Sequence, residues 1–236
     1  MKENKKNALI IGASSSLGPL IIEKFLAKNY SVLATYNKNS IQYTSNNRFT
    51  SVEVDLLSEN SIEKFFEIDI NSFGEINAVI FLSGILPGFS LENYNYSLMK
   101  KVMGVNFIGQ AELIRRLKPK LAYGSSILFL SSISGSRGSF DPIYAASKSA
   151  QNAFIKSLVE WLSPNVRINS LAPGLIQGTT MFNDMDEERR EYHRTLSPSK
   201  RLTTKEEIAD IIFNLNEPSW KNLNGQVIHI NGGSYG

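Results

Sequence analysis

The 236-residue chain has no cysteine. Disulfides, thiol catalysis and Cys-bound zinc are therefore excluded. Histidine is nearly absent too: His193 and His229 lie far apart in the sequence, so no metal site and no histidine triad is expected. Charge of one sign is lacking, with 25 basic against 22 acidic residues and a net charge of +3. The charges are interleaved, which gives no basic stripe for nucleic acid. The opening "KENKK" reads as a solvated tail. No apolar run is long enough to span a membrane. The N-terminus passes from Lys and Asn into a short apolar run and Gly12, a strand rather than a cleaved signal. The expectation is a soluble cytoplasmic protein.

What is there in quantity is apolar: 42% of residues, enough to bury a core without staples. The length fits one α/β domain better than two. Short apolar runs alternate with helically spaced ones. Strands are expected at 7–12, 30–36, 49–55, 76–82, 125–131, 166–172 and 225–231, and helices at 17–28, 60–73, 96–121 (bent), 143–162 and 205–215. Continuous apolar strands alternating with helices mean a parallel sheet covered on both faces, a doubly wound α/β domain. Residues 177–201 break the rhythm. They are charge-rich and loop-like at both ends, placed where a substrate lid could sit.

In such a sheet, ligands bind beyond the carboxyl ends of the strands. The first strand ends in "GASSSLG". Gly12 permits a tight turn and Gly18 a close helix–strand approach, while Ser14, Ser15, Ser16 and Leu17 lie between them. Backbone N–H groups at the following helix start can hold a pyrophosphate, with serine hydroxyls beside them. The second strand ends at Tyr36, Asn37 and Lys38 with no acid to receive ribose hydroxyls. That favours NADP(H) over NAD(H), with Lys38 either facing the 2′-phosphate or standing as a solvated turn residue. Further on, "FDPIYAASKSAQNAF" sets Tyr144 one helical turn before Lys148. Asp141 is placed to cap that helix and Pro142 sits just inside its start.

With these residues in hand, the chain resembles the short-chain dehydrogenase/reductase family over nearly its whole length. The matching stretches are "GASSSLG", "VEVDLL", "VNFIG", "FLSSISG", "YAASK", "LAPGLI" and "HINGGSYG", in that order. The resemblance implies a single Rossmann-type domain and a nicotinamide cofactor. It implies catalytic roles for Ser132, Tyr144 and Lys148, with Ser132 preferred over Ser131 by its spacing to Gly135. Asn106 would hold a water between Lys148 and solvent. Asp55 and Leu56 would approach the adenine, Ser83 and Gly84 would border the cofactor, and Lys148 would reach the nicotinamide ribose. Pro173, Gly174, Ile176 and Thr179 would lie along the nicotinamide, with Thr180 the alternative to Thr179.

The chain departs from the family pattern at three places, one of them the loop after Pro173–Gly174, which is one residue longer before Thr179 and Thr180. Ser16 stands where the first turn has its middle glycine, which is costly if that position needs a positive φ. "FLSG" (81–84) replaces NNAG and exchanges a polar sheet contact for apolar packing. The chemistry implied is interconversion of a ketone and a secondary alcohol. A free tyrosine titrates near pH ~10, and the Lys148 ammonium is expected to lower that value.

The resemblance is strongest to β-ketoacyl-(acyl-carrier-protein) reductases. It suggests a 3-oxoacyl thioester substrate, with Arg115, Arg116, Lys118 and Lys120 either docking an acidic carrier protein or forming a solvated helix end. A sugar or other small ketone is the alternative, and an inactive nucleotide-binding scaffold the alternative of another class. The family resemblance also suggests a homo-oligomer, a dimer or tetramer pairing helices 96–121 and 143–162.

Overall fold

The structure is a computed structural model, and it describes residues 6–41 and 47–235. The opening tail, apart from Lys6, lies outside the described residues. The first half runs β1 (Lys6–Ile11), α1 (Gly18–Ala27), β2 (Tyr30–Tyr36), β3 (Phe49–Glu53), α2 (Glu59–Phe65), α3 (Asn71–Phe73), β4 (Ile76–Phe81), α4 (Tyr96–Met103) and α5 (Gly109–Leu117). The second half runs β5 (Leu121–Leu130), α6 (Ser134–Arg137), α7 (Pro142–Leu162), β6 (Val166–Pro173), β7 (Ile176–Gln177), α8 (Thr180–Asn183), α9 (Glu187–Leu196), β8 (Thr203–Thr204), α10 (Lys205–Asn216) and β9 (Val227–Ile230). No helix among the described residues is long and apolar enough to cross a membrane.

Seven strands form one parallel sheet in the order β3-β2-β1-β4-β5-β6-β9. Side chains on a strand alternate between faces, and β1 shows the consequence. Ala8 and Ile10 join the core under α1 and α10. Leu9 and Ile11 join the core on the other face, with Ile62, Leu113 and Ile155. Both faces are apolar because both are covered, which is why these strands read as continuous runs.

Two expectations change in detail. The bent helix at 96–121 is α4 and α5 joined by a π turn, Gly104–Ile108. The 177–201 segment is loop-like at both ends as expected, but it carries two helices between them: Thr179 caps α8 and Asp186 caps α9 through its side chain. Short polar side chains ahead of the charged run accept the orphan helix N–H groups.

The "FLSG" replacement behaves as its composition implies. Phe81 is 1% exposed and stacks on Phe129 at 4.4 Å between ring centroids. Phe81→Ala should leave a cavity between β4 and β5 and cost about 3–5 kcal/mol. Urea denaturation of the full chain, monitored by far-ultraviolet circular dichroism, measures that loss.

Candidate active site

The strand order reverses at β1, which pairs with β2 on one side and β4 on the other. The helices leaving β1 and β4 part there and leave a crevice above the carboxyl ends. Two adjoining cavities occupy it, of about 260 Å³ and 410 Å³.

The floor of the crevice is the first turn. Gly12 has φ +79°, and a Cβ there would stand 2.6 Å from the Ser83 backbone nitrogen. A Cβ at Gly18 would stand 1.8 Å from the Ala13 carbonyl oxygen. Both positions therefore require glycine. Ser16 has no such requirement, because Asn29 and Lys200 are the non-glycine residues with positive φ among those described. Serine at this place in the turn is unstrained. Ser15 Oγ is buried and has no hydrogen-bond partner. An orphaned hydroxyl on a helix-opening turn, in the lining of both cavities, is what a pyrophosphate would satisfy.

The larger cavity could hold the adenosine half of a dinucleotide. Gly12, Ser14, Tyr36, Asn37, Lys38 and Leu56 border it, together with Ser83 and Gly84. Lys101 of α4 joins Lys38 there, and no carboxylate lines it among the described residues. Asp55 does not line it; its Oδ1 accepts a hydrogen bond from Leu57 N at 3.0 Å. Gly18 likewise lies under the turn and not on the cavity.

The smaller cavity gathers the remaining predicted residues except Asn106. Ser16 and Leu17 line it with Pro173, Gly174, Ile176 and Thr179, and Ser132, Tyr144 and Lys148 face the same space. Thr180 lines it too, while the Thr179 hydroxyl is already donating to Ile176 O at 2.8 Å. Ser131 is committed elsewhere, its hydroxyl donating to Asn152 Oδ1 at 2.9 Å, which leaves Ser132 as the serine aimed at Tyr144.

Asn106 does not line either cavity. It is fully buried in the π turn. Its Oδ1 accepts from Ile85 N at 2.8 Å, and its Nδ2 donates to Ile85 O and Ser147 Oγ at 3.0 Å and 2.9 Å. Its backbone oxygen accepts from Gln151 Nε2 at 2.7 Å. In this arrangement Asn106 clamps the segment after β4 against the helix that carries Tyr144. Gly84 lies between these groups: a Cβ there would meet Lys148 Nζ at 3.5 Å and Asn106 Oδ1 at 3.6 Å.

The sequence suggests that Lys148 would pull the Tyr144 pKa down. In the structure burial wins. The Tyr144 phenol is pushed up to about 12, first by desolvation, against the hydrogen bond with Ser132, and with the Asp141 charge adding to the rise. The Lys148 amine is pushed down to about 7 by desolvation. Nζ donates to Leu130 O at 2.9 Å and lies 5.7 Å from the Tyr144 ring centroid. The cost of desolvating each charged form outweighs what the four-residue spacing offers.

Asp141 does more than the capping its sequence position implies. Its Oδ1 accepts from Tyr144 N at 2.9 Å and its Oδ2 from Gly88 N at 2.9 Å. The Tyr94 hydroxyl donates to the same carboxylate at 2.7 Å. One buried side chain thus ties the start of the Tyr144 helix to the loop after β4. Lys101, Tyr94 and the loop contacts of Asp141 carry no local sequence signal, since each depends on segments far apart in the chain.

This crevice, at the reversal of a seven-stranded parallel sheet, defines a dinucleotide-binding α/β protein. The match to known proteins is specific: a family model described as enoyl-(acyl carrier protein) reductase covers residues 12–235. The chain belongs to the short-chain dehydrogenase/reductase family, and it is an NAD(P)-dependent oxidoreductase of that family. It is 31% identical to a 3-oxoacyl-(acyl-carrier-protein) reductase of Buchnera aphidicola subsp. Baizongia pistaciae, over 100% of this chain and 99% of that protein. The corresponding reductase of Aquifex aeolicus is 28% identical, over 100% of this chain and 99% of the relative. A crystal structure described as a short-chain dehydrogenase/reductase, glucose/ribitol dehydrogenase, from Brucella melitensis superposes with a TM-score of 0.89 at 26% identity, covering 100% of both chains.

The Lys148 shift has a thermodynamic consequence. Between about pH 7 and the unfolded value of 10.5 the unfolded chain holds a proton that the folded chain has released. Stability contributed by this group therefore rises with pH through that window. The urea midpoint of the native chain should climb between about pH 7 and about pH 9 relative to Lys148→Met, in which the amine is absent. Parallel slopes for the two proteins would contradict the assignment.

Proposed function

We propose that the protein reduces a ketone to a secondary alcohol, with NADP(H) preferred over NAD(H). The observation that carries this reading is the common cavity shared by Ser132, Tyr144 and Lys148 beside the nucleotide crevice. When bound there, a reduced nicotinamide supplies the hydride. The chain's own residues do the rest. Ser132 Oγ donates to the substrate oxygen and stabilises the charge that develops on it. Tyr144 Oη delivers the proton to that oxygen. A phenol held near 12 is fully protonated at neutral pH, yet it remains a far stronger acid than an alcohol, so transfer to a nascent alkoxide runs downhill. Burial thus suits Tyr144 to the reducing direction. Lys148, held beside it with a proton that titrates near neutrality, restores the phenol after transfer. Asn106 and Asp141 act through the segments that they fix.

The preference for NADP(H) rests on Lys38 and Lys101 in the adenosine half-site and on the absence of a lining carboxylate among the described residues. A 2′-phosphate there meets cations and no repulsion. A 3-oxoacyl thioester is the substrate class to which the two bacterial relatives point. The proposed carrier-protein docking cluster is weaker than its composition suggests. Arg115 and Arg116 are both paired with Glu112, at 2.7 Å and 2.5 Å, and Lys118 lies over the Trp161 ring at 4.0 Å. A homo-oligomer is part of the same proposal. Ile108 and Trp161, on the long helices, are 59% and 39% exposed, and a second copy would cover them.

Tyr144→Phe should fold and bind NADPH like the native chain while losing at least about 100-fold in turnover. Cofactor fluorescence titration and NADPH oxidation with a ketone panel measure the two separately. Full activity in this variant would sink the mechanism. Lys38→Glu should shift the ratio of NADPH to NADH use towards NADH by about tenfold or more, read from kcat/KM for each cofactor.

A further inference from the structure

A third cavity, of about 370 Å³, opens on the side of Tyr144 and Ser132 away from the nucleotide crevice. It has two kinds of wall. Leu86, Leu175, Met181 and Met185 make an apolar part suited to a short carbon chain. Arg137, Arg189 and His193 make a cationic part. Met185, Arg189, Tyr192 and His193 follow one another at intervals of four, three and one residues, so α9 and the residue before its cap turn one face to the cavity.

The pairing of the arginines sets this part of the cavity apart. The chain has nine. Arg115, Arg116, Arg190, Arg194 and Arg201 each pair with a glutamate. Arg167 is spent on backbone carbonyls, and Arg48 donates to Asn29. Among the described residues, Arg137 and Arg189 are the arginines whose guanidinium groups have neither a side-chain nor a backbone partner, and both line this cavity. They lie close enough to His193 that, after burial, their charges help to push its pKa down. Asp141, the carboxylate in the same lining, is already taken up by Tyr144 N, Gly88 N, Phe89 N and the Tyr94 hydroxyl. Three cationic or basic groups therefore face a cavity whose one lining carboxylate is already engaged by other donors, beside the atoms proposed to protonate a ketone. Guanidinium groups bind carboxylates and phosphates through paired hydrogen bonds.

We propose that Arg137, Arg189 and His193 form an anion subsite, so that the protein's substrate is a small ketone carrying its own carboxylate or phosphate. The inference rests on the ketone-reductase reading and narrows its substrate class. Apolar wall, cationic wall and proton donor share a volume near the lower end of the range for small-molecule sites, which favours a carboxylate a few bonds from the carbonyl.

The test compares a 3-oxo, a 4-oxo and a 5-oxo acid with their neutral methyl esters, by NADPH oxidation. Acetoacetyl-coenzyme A and the neutral acetoacetyl thioester of N-acetylcysteamine form a second pair that separates a phosphate from a carboxylate as the source of the anion. At least one anionic ketone should exceed its neutral partner by about tenfold or more in kcat/KM, and that ratio should collapse in the double variant Arg137→Gln, Arg189→Gln. Equal use of every anionic and neutral pair, or a ratio unmoved by the double variant, overturns the subsite. A binding measurement separates the two readings: calorimetry on Tyr144→Phe with NADPH present, titrated with the same acids and esters. Anion-selective binding without turnover in the native chain keeps the subsite and overturns the ketone-reductase reading. Turnover without anion preference does the reverse, and the absence of both overturns both.

Discussion

β1 hands its neighbours to β2 on one side and β4 on the other, and the helices that follow must cross to opposite faces of the sheet. Nothing bridges the gap that they leave at the carboxyl edge. Everything chemical in the protein is hung over that gap. The turn after β1 makes its floor, the loop after β4 one wall, and the ends of β5 and β6 the other. Because a parallel sheet brings all its carboxyl ends to one edge, Gly12, Gly84, Ser132 and Pro173 meet there although they are spread over two thirds of the chain.

The groups gathered at this edge are held by buried polar contacts. Gln151 donates to Gln110 at 2.6 Å and to the Asn106 carbonyl, and Gln110 donates to Ser83 at 2.9 Å. Asn106 in turn grips Ile85 and Ser147. Asp141 grips the next stretch of the same loop. Gln151 Oε1 has no partner among the described residues; the other contacts favour a single arrangement, since each group left unpaired in a low-dielectric setting is costly. The same low dielectric acts on the reacting groups. It raises the Tyr144 phenol and lowers the Lys148 amine, so their mutual influence is set by what else enters the site and not by their spacing alone.

The sequence was informative where a local pattern carries a physical demand. The runs of apolar residues demanded a sheet covered on both faces, and the glycines at 12 and 18 demanded contacts that a Cβ would block. Asp141 ahead of Pro142 demanded a capped helix start. It was less informative where the demand is met at a distance. Ser16 raised a question of backbone strain that only the torsion angles answered. The charge-rich segment after β7 hid the helices between its loop-like ends, because they are short and capped by Thr179 and Asp186, residues equally at home in turns. Within the Arg115–Lys120 cluster, Arg115 and Arg116 share one close carboxylate, Glu112.

The sequence by itself determined the doubly wound sheet, the glycine turn after β1 and the Tyr144–Lys148 register, because periodicity, glycine placement and the four-residue spacing are local and survive in one dimension. Only the tertiary structure decided that Asn106 clamps a loop, that Lys101 joins Lys38, and that Arg137 meets Arg189 across a cavity. Those juxtapositions depend on which strands are neighbours and on how far each side chain has left water. Neither quantity exists until the sheet has closed and its helices have packed.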